Sequence, residues 1–376
     1  MKILNVNHTI DQVTGGGTAE RTFQMSQHLI RNGIECSILT METAGSSARR
    51  LINGKIVTIP SLSRRFPFPR CAFGRIKQIV AEHDVIHLMG HWTILNAAVY
   101  LAAVSLNKPY VFCPAGALPI FGRSLMLKKI YNWIIGRKIA QNADRCIAIT
   151  EAEKKQFLEY GVIQEKIDVI PNAVDEADFA MADEIGFRSK YRLTNRQIIL
   201  FFGRLNLIKG PDLLLSAFLQ IMEAFPDYDL VFAGPDNGML SQLKAIVTKN
   251  GACKRVHFLG YLGGADKSSA FHAARILTIS SRQEAMSIVV LEAGVCGVPA
   301  LFTDQCGLNT MAEAGCGWSV PATVEGLKKG LELALTSPDE IKPTGIKARD
   351  YVAFNFSWGA VSEKYRQLYE NLVKSK

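Results

Sequence analysis

The segment Ile198-Ile199-Leu200-Phe201-Phe202-Gly203-Arg204-Leu205-Asn206-Leu207-Ile208-Lys209-Gly210-Pro211-Asp212 decides the predicted fold. An apolar run suited to a buried strand leads into a glycine-flanked loop with two cations, and a helical pattern follows over 211–225. Similar short strand candidates alternate with helical stretches almost from end to end of the chain. Strands that are apolar throughout and alternate with helices indicate parallel sheets covered on both faces, as in α/β domains.

The predicted strands fall into two groups. Those of the first half are Ile3–Asn7, Glu35–Thr40, Lys55–Ile59, Val85–Met89, Tyr110–Cys113, Cys146–Thr150 and Lys166–Ile170. Those of the second half are Ile198–Gly203, Asp229–Ala233, Val256–Leu259, Ile276–Ile279, Ala300–Thr303 and Trp318–Val320. The helical patterns include Ala19–Asn32, Ala152–Tyr160, Pro211–Phe225, Met239–Asn250, Ser287–Cys296 and Val324–Thr336.

The length of 376 residues predicts two domains. Each half of the chain is predicted to form a doubly wound, Rossmann-like domain, the first over residues 1–172 and the second over 173–356. The boundary lies where an acidic segment, 172–178, follows a proline after the last strand of the first half. Because ligands of open α/β sheets bind beyond the carboxyl ends of the strands, the cleft between the halves is the predicted site.

The composition excludes several classes of protein. With 48% hydrophobic and 20% charged residues, the chain is neither disordered nor fibrous. Its eight cysteines include no C-x-x-C pair, which indicates reduced thiols in a cytosolic protein rather than disulfides or a zinc site. The amino-terminal strand becomes polar too soon for a signal peptide, and the longest apolar stretch, 93–106, is too short for a membrane-spanning helix. We expect a cytoplasmic protein, at most peripheral on the inner face of the membrane.

Positive charge is concentrated in one part of the chain. The formal net charge is +9, and residues 49–138 alone hold 14 Lys/Arg against 2 acidic residues, a surplus of 14 − 2 = +12. Within it, residues 123–138 form a helix-compatible segment in which aromatic and cationic side chains are mixed. Such a helix can lie on an anionic membrane surface, and the alternative is an ordinary packed helix with solvated cations. No recognition motif supports nucleic acid as the partner.

Two stretches of the second half carry candidate chemistry. In one, a strand ends, a polar loop holds Glu284, and a helix that contains Glu292 starts near Ser287. A helix start beyond a strand's carboxyl end suits a phosphate, and the carboxylates can accept hydrogen bonds from sugar and ribose hydroxyls. In the other, Arg204 and Lys209 are five residues apart with a glycine beside each, which suits a diphosphate. The alternative for the first stretch is a solvated Glu in a loop and a Glu on a helix surface. The alternative for the second is two surface cations around a turn.

Taken together and in this order, the two stretches resemble the retaining glycosyltransferases of family 4. The matching marks are the G-R-x-x-x-x-K-G loop at 203–210, the two Glu that lead into L-E-A-x-x-C-G-x-P at 291–299, the glycine-rich turn at 15–17, and Asn355-Phe356-Ser357-Trp358 before a final helix. The resemblance covers nearly the whole chain. It implies the GT-B fold, two Rossmann-like domains facing across a cleft, with the final helix, 357–376, returning to the first, acceptor-binding domain.

The resemblance also implies roles for individual residues. Arg204 and Lys209 would hold the diphosphate of a nucleotide-sugar donor, Glu284 would touch the donor sugar, and Glu292 would bind the ribose. Arg204, Lys209 and Glu284 are thereby the expected catalytic residues. The expected donor-binding set is Gly16, Gly17, Arg204, Lys209, Glu284, Met286, Ser287, Ile288 and Glu292, in which backbone N–H groups around Ser287 and Ile288 meet the distal phosphate and the two glycines approach it from the first domain.

Two departures from the family pattern limit what can be carried over. Residues 113–117 read Cys-Pro-Ala-Gly-Ala where many relatives have His-Gly, and Glu284 is followed by Ala-Met-Ser-Ile instead of a Gly-Phe-Gly-Leu type. His91 is the best remaining polar candidate for the acceptor side, and its alternative is a structural His beside Trp92. No metal or cofactor is expected, because Arg204, Lys209 and a helix start supply positive charge and the one Asp-x-Asp, 227–229, precedes a strand.

The predicted function is transfer of a sugar, with retention of configuration, from a UDP- or GDP-sugar to a glycan or lipid-linked glycan in cell-surface polysaccharide synthesis. Two alternatives stay open. One is another enzyme on the same fold, a nucleotide-sugar epimerase or a phosphorylase. The other is an inactive, membrane-associated partner of a polysaccharide assembly complex.

Overall fold

The computed structural model describes residues 1–11, 15–41, 50–61, 68–71, 73–120 and 124–375. The chain divides into two compact units. The first contains Met1–Asn172 and Trp358–Lys376, and the second contains Ala173–Ser357. The sequence analysis placed the second boundary one residue earlier, between 356 and 357. Ser357 belongs with the second unit because its backbone forms a parallel bridge with Val174 there.

The first unit is built on a seven-stranded sheet in the order β3-β2-β1-β4-β5-β6-β7, whose neighbouring strands are all parallel. Its strands are β1 (Lys2–Val6), β2 (Glu35–Met41), β3 (Lys55–Ile59), β4 (Val85–Met89), β5 (Tyr110–Cys113), β6 (Arg145–Ala148) and β7 (Ile167–Val169). Its first helices are α1 (Gly16–Arg31), α2 (Phe73–Ala81), α3 (Ile94–Ser105), α4 (Leu125–Tyr131), α5 (Arg137–Gln141) and α6 (Glu151–Glu159). All residues of the central strands β4 and β5 are buried, which is why these strands are apolar on both faces except at His87.

The second unit repeats the scheme with a six-stranded parallel sheet in the order β10-β9-β8-β11-β12-β13. Its strands are β8 (Gln197–Phe202), β9 (Tyr228–Ala233), β10 (Val256–Gly260), β11 (Ala274–Ile279), β12 (Ala300–Thr303) and β13 (Gly317–Val320). Its helices are α7 (Glu184–Lys190), α8 (Pro211–Ile221), α9 (Leu240–Lys249), α10 (Gly264–Ala273), α11 (Ile288–Val295), α12 (Asn309–Glu313), α13 (Val324–Thr336) and α14 (Pro338–Asn355).

The last helix, α15 (Trp358–Lys374), returns to the first unit and packs on α1 and β4. Its buried Tyr369 hydroxyl lies 2.6 Å from Nδ1 of His87. Its buried Tyr365 hydroxyl accepts a hydrogen bond from the Arg21 guanidinium, which also donates to the backbone oxygen of Ile170 at 3.0 Å. Aromatic rings and hydrogen bonds between buried polar groups therefore hold the returning helix. The predicted α/β class with two Rossmann-like domains is confirmed.

The helical segment after β5 differs from a continuous helix. Between α4 and α5 the chain makes one π-helical turn, Asn132–Gly136, and this turn points Asn132 inward while Trp133 stays exposed. A β-carbon on Gly136 would lie 2.4 Å from Oδ1 of Asn132, so the glycine makes room for that side chain.

Helix α14, which contains Pro343, was not predicted. Over the described residues, none of the helices is both long enough and apolar enough to cross a bilayer.

Two buried histidines make the stability of the first unit depend on pH. Burial, with Arg21 nearby, lowers the pKa of His87 from 6.5 to about 3, and burial lowers the pKa of His91 to about 4. Below about pH 6.5 the two histidines take up protons in the unfolded chain but stay neutral in the folded one. We therefore expect the free energy of unfolding to fall as the pH drops from about 6.5 towards 4. Each ring contributes a slope approaching about 1.4 kcal/mol per pH unit. Denaturant unfolding at a series of pH values measures the slope.

His91→Gln should flatten this pH dependence even if it lowers stability at every pH. The control is His272→Gln, which removes a histidine from α10 of the other unit. It should leave the pH dependence of the free energy of unfolding of the first unit unchanged. A wild-type stability that does not change between about pH 6.5 and pH 4 would contradict the prediction.

Candidate functional site

The candidate site lies where the order of strands reverses in the second sheet. Strand β8 is paired with β9 on one side and β11 on the other. The carboxyl end of β8 leads into the loop 203–210, and the carboxyl end of β11 leads into the loop 280–287. Such a switch point is where open α/β sheets leave a crevice for a ligand.

Lys209 and Glu284, one from each loop, form an ion pair at this edge. Nζ of Lys209 lies 2.6 Å from Oε1 of Glu284, and both side chains are largely shielded from solvent. Oγ of Ser281 donates to the other carboxylate oxygen at 2.9 Å. Two residues 75 positions apart in the chain therefore meet in one fixed arrangement, an ammonium against a carboxylate.

The two loops are clamped together by backbone contact and by a second ion pair. Arg282 binds Asp212 through two hydrogen bonds of 2.9 and 2.6 Å, a fork geometry that fixes both groups. The hydroxyl of Ser280 donates to the backbone oxygen of Gly210 at 2.8 Å. Gly210 has φ +65°, and a β-carbon there would lie 2.1 Å from the backbone oxygen of Ser280. The glycine beside Lys209 is thus required for the close approach of the loops.

Arg204 is exposed at the carboxyl end of β8, on the same loop as Lys209. The loop between the two cations is shaped by Asn206, whose side-chain oxygen accepts the N–H of Lys209 at 3.0 Å. The arrangement leaves one cation in solvent and holds the other against Glu284. An incoming anion could engage the guanidinium directly, whereas it would have to compete with Glu284 for the ammonium.

The loop before α11 holds the remaining candidates of this unit. Glu292 is buried on α11 and pairs with Lys267 of α10, an interaction that the sequence analysis missed. Met286 is buried. The N–H of Ser287 donates to the backbone oxygen of Cys306 at 3.1 Å, so this N–H is already engaged. The anion-binding role expected of the backbone around Ser287 and Ile288 stays a prediction, and the N–H groups of the first turn of α11 have no partner within the helix.

The cysteine near the ion pair is not activated as a nucleophile. Burial and the charge of Glu284 raise the pKa of the nearby Cys306 thiol to about 12, so it stays protonated at neutral pH. Within the ranges that the structure describes, no cluster of three or more His, Cys, Asp or Glu side chains is arranged to hold a metal ion.

Three candidates lie in the first unit. Gly16 and Gly17 begin α1, which follows β1, and their expected approach to a phosphate stays a prediction. His91 is 1% exposed. Its Nε2 lies 2.9 Å from Oδ1 of Asn132, and its ring packs against those of Trp92 and Phe112, among others. The structure thus favours the alternative interpretation, a structural histidine, over a contact with an acceptor.

The basic segment predicted at 123–138 presents apolar side chains to solvent over its described part, 124–138. Trp133 is 84% exposed and Met126 is 72% exposed. Leu125, Leu127, Ile130 and Ile134 are exposed as well. Lys129, Arg137 and Lys138 lie on the same segment with exposed side chains. The segment 124–138 therefore has an apolar surface that the rest of the unit does not cover.

Two family models match successive stretches of the chain. The model described as Glycosyltransferase Family 4 matches residues 15–178, and the one described as Glycosyl transferases group 1 matches residues 184–351. The chain belongs to the family 4 glycosyltransferases. The resemblance inferred from the sequence motifs is confirmed, and the boundary between the matched stretches falls close to the division between the two units of the glycosyltransferase.

The glycosyltransferase is 27% identical over 391 residues to a D-inositol 3-phosphate glycosyltransferase of Gordonia bronchialis, an alignment of 96% of this chain and 85% of that relative. Its fold is similar to that of sucrose-phosphate synthase from Thermosynechococcus elongatus, with a TM-score of 0.81, 18% identity and 100% of both chains covered. HepE of Anabaena in complex with UDP and glucose also gives a TM-score of 0.81, at 18% identity, over 99% of this chain and 100% of that one.

The variant Gly210→Ala tests whether the site depends on the close approach of the loops 203–210 and 280–287. Gly251→Ala is a matched control, since Gly251 has φ +66° but nothing within 4 Å of an added β-carbon. Left-handed backbone strain should cost both variants about 1–2 kcal/mol. Only Gly210→Ala should lose further stability and lower sugar transfer by about tenfold or more, because displaced catalytic groups lose rate steeply. Equal stability and equal turnover of the two variants would contradict this prediction.

Proposed function

We propose that this chain is a metal-independent, retaining glycosyltransferase that moves a sugar from a nucleoside-diphosphate sugar to a glycan or a lipid-linked glycan. The observation that carries the proposal is the meeting of Lys209 and Glu284 at the switch point of the second sheet, 2.6 Å apart. Arg204 on the same loop adds a second cation. Two cations beside an acceptor-only carboxylate suit a diphosphate attached to a sugar with hydroxyl groups.

In the proposed reaction the bond between the anomeric carbon and the diphosphate breaks, and the diphosphate departs with the electron pair. An acceptor hydroxyl oxygen bonds to the anomeric carbon on the same face, and its proton passes to the departing phosphate oxygen. Arg204 and Lys209 stabilise the charge that develops on the leaving group, as preorganised cations do. Glu284 is released from Lys209 when the diphosphate binds and then accepts hydrogen bonds from the donor sugar. Positioning of the reactants supplies the remaining acceleration.

HepE, which has a similar fold, was solved in complex with UDP-glucose, and this supports a UDP-sugar as the first donor to try. A GDP-sugar is the alternative donor. A role in cell-surface polysaccharide synthesis is part of the proposal. It is supported by the resemblance of the motifs and by the exposed basic segment, which suits an acceptor at a membrane.

A second acceptor has an observation in its favour. Several relatives that align over most of this chain are named D-inositol 3-phosphate glycosyltransferases, and the basic surplus of residues 49–138 would attract an anionic acceptor. Assays with one donor and either inositol 3-phosphate or a lipid-linked sugar in vesicles distinguish the two. Proton NMR of the product reports whether the configuration is retained, and EDTA should leave turnover unchanged.

Lys209→Ala and Glu284→Ala should each lower sugar transfer by about a hundredfold or more, because each removes a group that acts on developing charge or on the donor sugar. Lys244→Ala, which removes an exposed lysine of α9, is the control and should retain wild-type turnover. Circular dichroism checks that the variants are folded. Wild-type turnover in either site variant would remove that residue from the proposed site, and donor consumption without any acceptor would favour the epimerase alternative.

The exposed segment 124–138 is proposed to bind an anionic membrane surface. Changing Lys128, Lys129, Arg137 and Lys138 together to Gln should weaken binding to phosphatidylglycerol vesicles, by about 1 kcal/mol for each charge near the surface. Trp133→Ser should weaken it further and should abolish the fluorescence shift that insertion of the indole produces. The same vesicles without anionic lipid are the control. Unchanged binding of the four-fold variant would mean that these cations are only solvated.

A further inference from the structure

The loop 280–287 is also held by the segment 303–307, to which the proposed reaction gives no role. Strand β11 lies between β8 and β12 in the second sheet. Segment 303–307 is the last residue of β12 with the turn that follows it, and it leaves this parallel sheet at the same edge as the loops 203–210 and 280–287. The loop that carries Glu284 therefore has a neighbour on each side.

Backbone hydrogen bonds join segment 303–307 to both ends of the stretch 284–287. The N–H of Glu284 donates to the backbone oxygen of Gln305 at 3.0 Å, and the N–H of Ser287 donates to that of Cys306 at 3.1 Å. These bonds fix the backbone from which the Glu284 side chain extends. A shift of segment 303–307 would therefore move the carboxylate as well, and functional groups must be held closely to act.

Two hydroxyl groups continue the support to the carboxylate itself. The Thr303 hydroxyl donates to the backbone oxygen of Ser281 at 2.5 Å, and the Ser281 hydroxyl donates to one carboxylate oxygen of Glu284 at 2.9 Å. Thr303 and Ser281 are both 0% exposed, so these bonds form in an interior where hydrogen bonds are strong. The carboxylate is thus held by Lys209 from one neighbouring loop and, through Ser281, by segment 303–307 on the other side.

Gly307 permits this close contact between the two stretches of backbone. It has φ +68°, and a β-carbon there would lie 1.9 Å from the backbone oxygen of Ala285 and 3.2 Å from Cα of Met286. Because 1.9 Å is far shorter than any non-bonded contact of a carbon atom, a side chain at this position would push the two stretches apart. Ala285 directly follows Glu284, so the displacement would reach the carboxylate.

We infer that segment 303–307 positions the Glu284 carboxylate for contact with the donor sugar, with Gly307 and Thr303 as positioning residues. The inference rests on the proposed function, in which Glu284 accepts hydrogen bonds from that sugar. Gly307 and Thr303 act through the loop 280–287 and do not themselves contact the donor.

The variant Gly307→Ala tests the inference against the matched control Gly315→Ala. Gly315 has φ +69° and nothing within 4 Å of an added β-carbon, so left-handed backbone strain is common to both variants. Transfer assays use UDP-glucose as the first donor and the two acceptors of the proposed function. We expect the kcat of Gly307→Ala to be about tenfold or more below that of the control, because displaced groups lose rate steeply. Equal kcat values would overturn the inference.

Combining Gly307→Ala with Glu284→Ala shows whether the segment acts through the carboxylate. If it does, Gly307→Ala should lower kcat by less than about twofold in the Glu284→Ala background, since the group that it displaces is already gone. A merely structural role of Gly307 would lower kcat by the same factor in both backgrounds. That result would overturn the inference.

Two variants of Thr303 carry the test if Gly307→Ala does not fold. Thr303→Val removes the hydroxyl but nearly keeps the shape of the side chain, so it should lower kcat, because the backbone oxygen of Ser281 loses its donor. Thr303→Ser keeps the hydroxyl and should retain most of the wild-type kcat. Wild-type kcat in Thr303→Val, or an equal loss in the two variants, would show that the hydroxyl does not position Glu284 and would overturn the inference.

The remaining outcomes separate this inference from the proposed function. A wild type that transfers no sugar from a UDP- or GDP-sugar contradicts the proposed function, and the inference falls with it. A wild type whose kcat depends on Glu284 but not on Gly307 or Thr303 overturns only the inference.

Discussion

The close approach of the loops 203–210 and 280–287 is the constraint on which the candidate site depends. It exists because Gly210 has no side chain where the backbone oxygen of Ser280 passes. The ion pair between Arg282 and Asp212 then ties the loop 280–287 to the first turn of α8, directly after the loop 203–210. Without this approach Lys209 and Glu284, which lie on different loops, would not meet, and neither could set the position of the other.

Each acidic candidate of the site is held by a lysine from a different element. Glu284 pairs with Lys209 across the loops, and Glu292 pairs with Lys267 across two helices. Burying such an ion pair costs desolvation energy that offsets much of the attraction between the charges. The pair therefore fixes the geometry of its two groups more than it adds net stability. In the proposed function a diphosphate displaces Glu284 from Lys209, so this pair would rearrange when the donor binds.

Much of the fold could be predicted because buried parallel strands need apolar residues on both faces. The predicted strands lie within a residue or two of those observed, and the loop at 203–210 was placed correctly at the end of β8. The interior polar contacts could not be predicted in this way. His91 seemed available at the end of β4, yet Asn132 reaches it from a π-helical turn that no periodicity reveals. Helix α14 was missed because Pro343 interrupts an otherwise helical segment.

By itself the sequence determined the alternation of strands and helices, the division into two domains and the residue types of a nucleotide-sugar site, because these follow from local patterns and short motifs. Only the tertiary structure decided which charges meet. Lys267 and Arg282 carry no spacing signal, and they became partners of Glu292 and Asp212 because elements that are separate in the chain converge at one edge of the second sheet. Side-chain pairing across that edge depends on distances in space, which sequence separation does not encode.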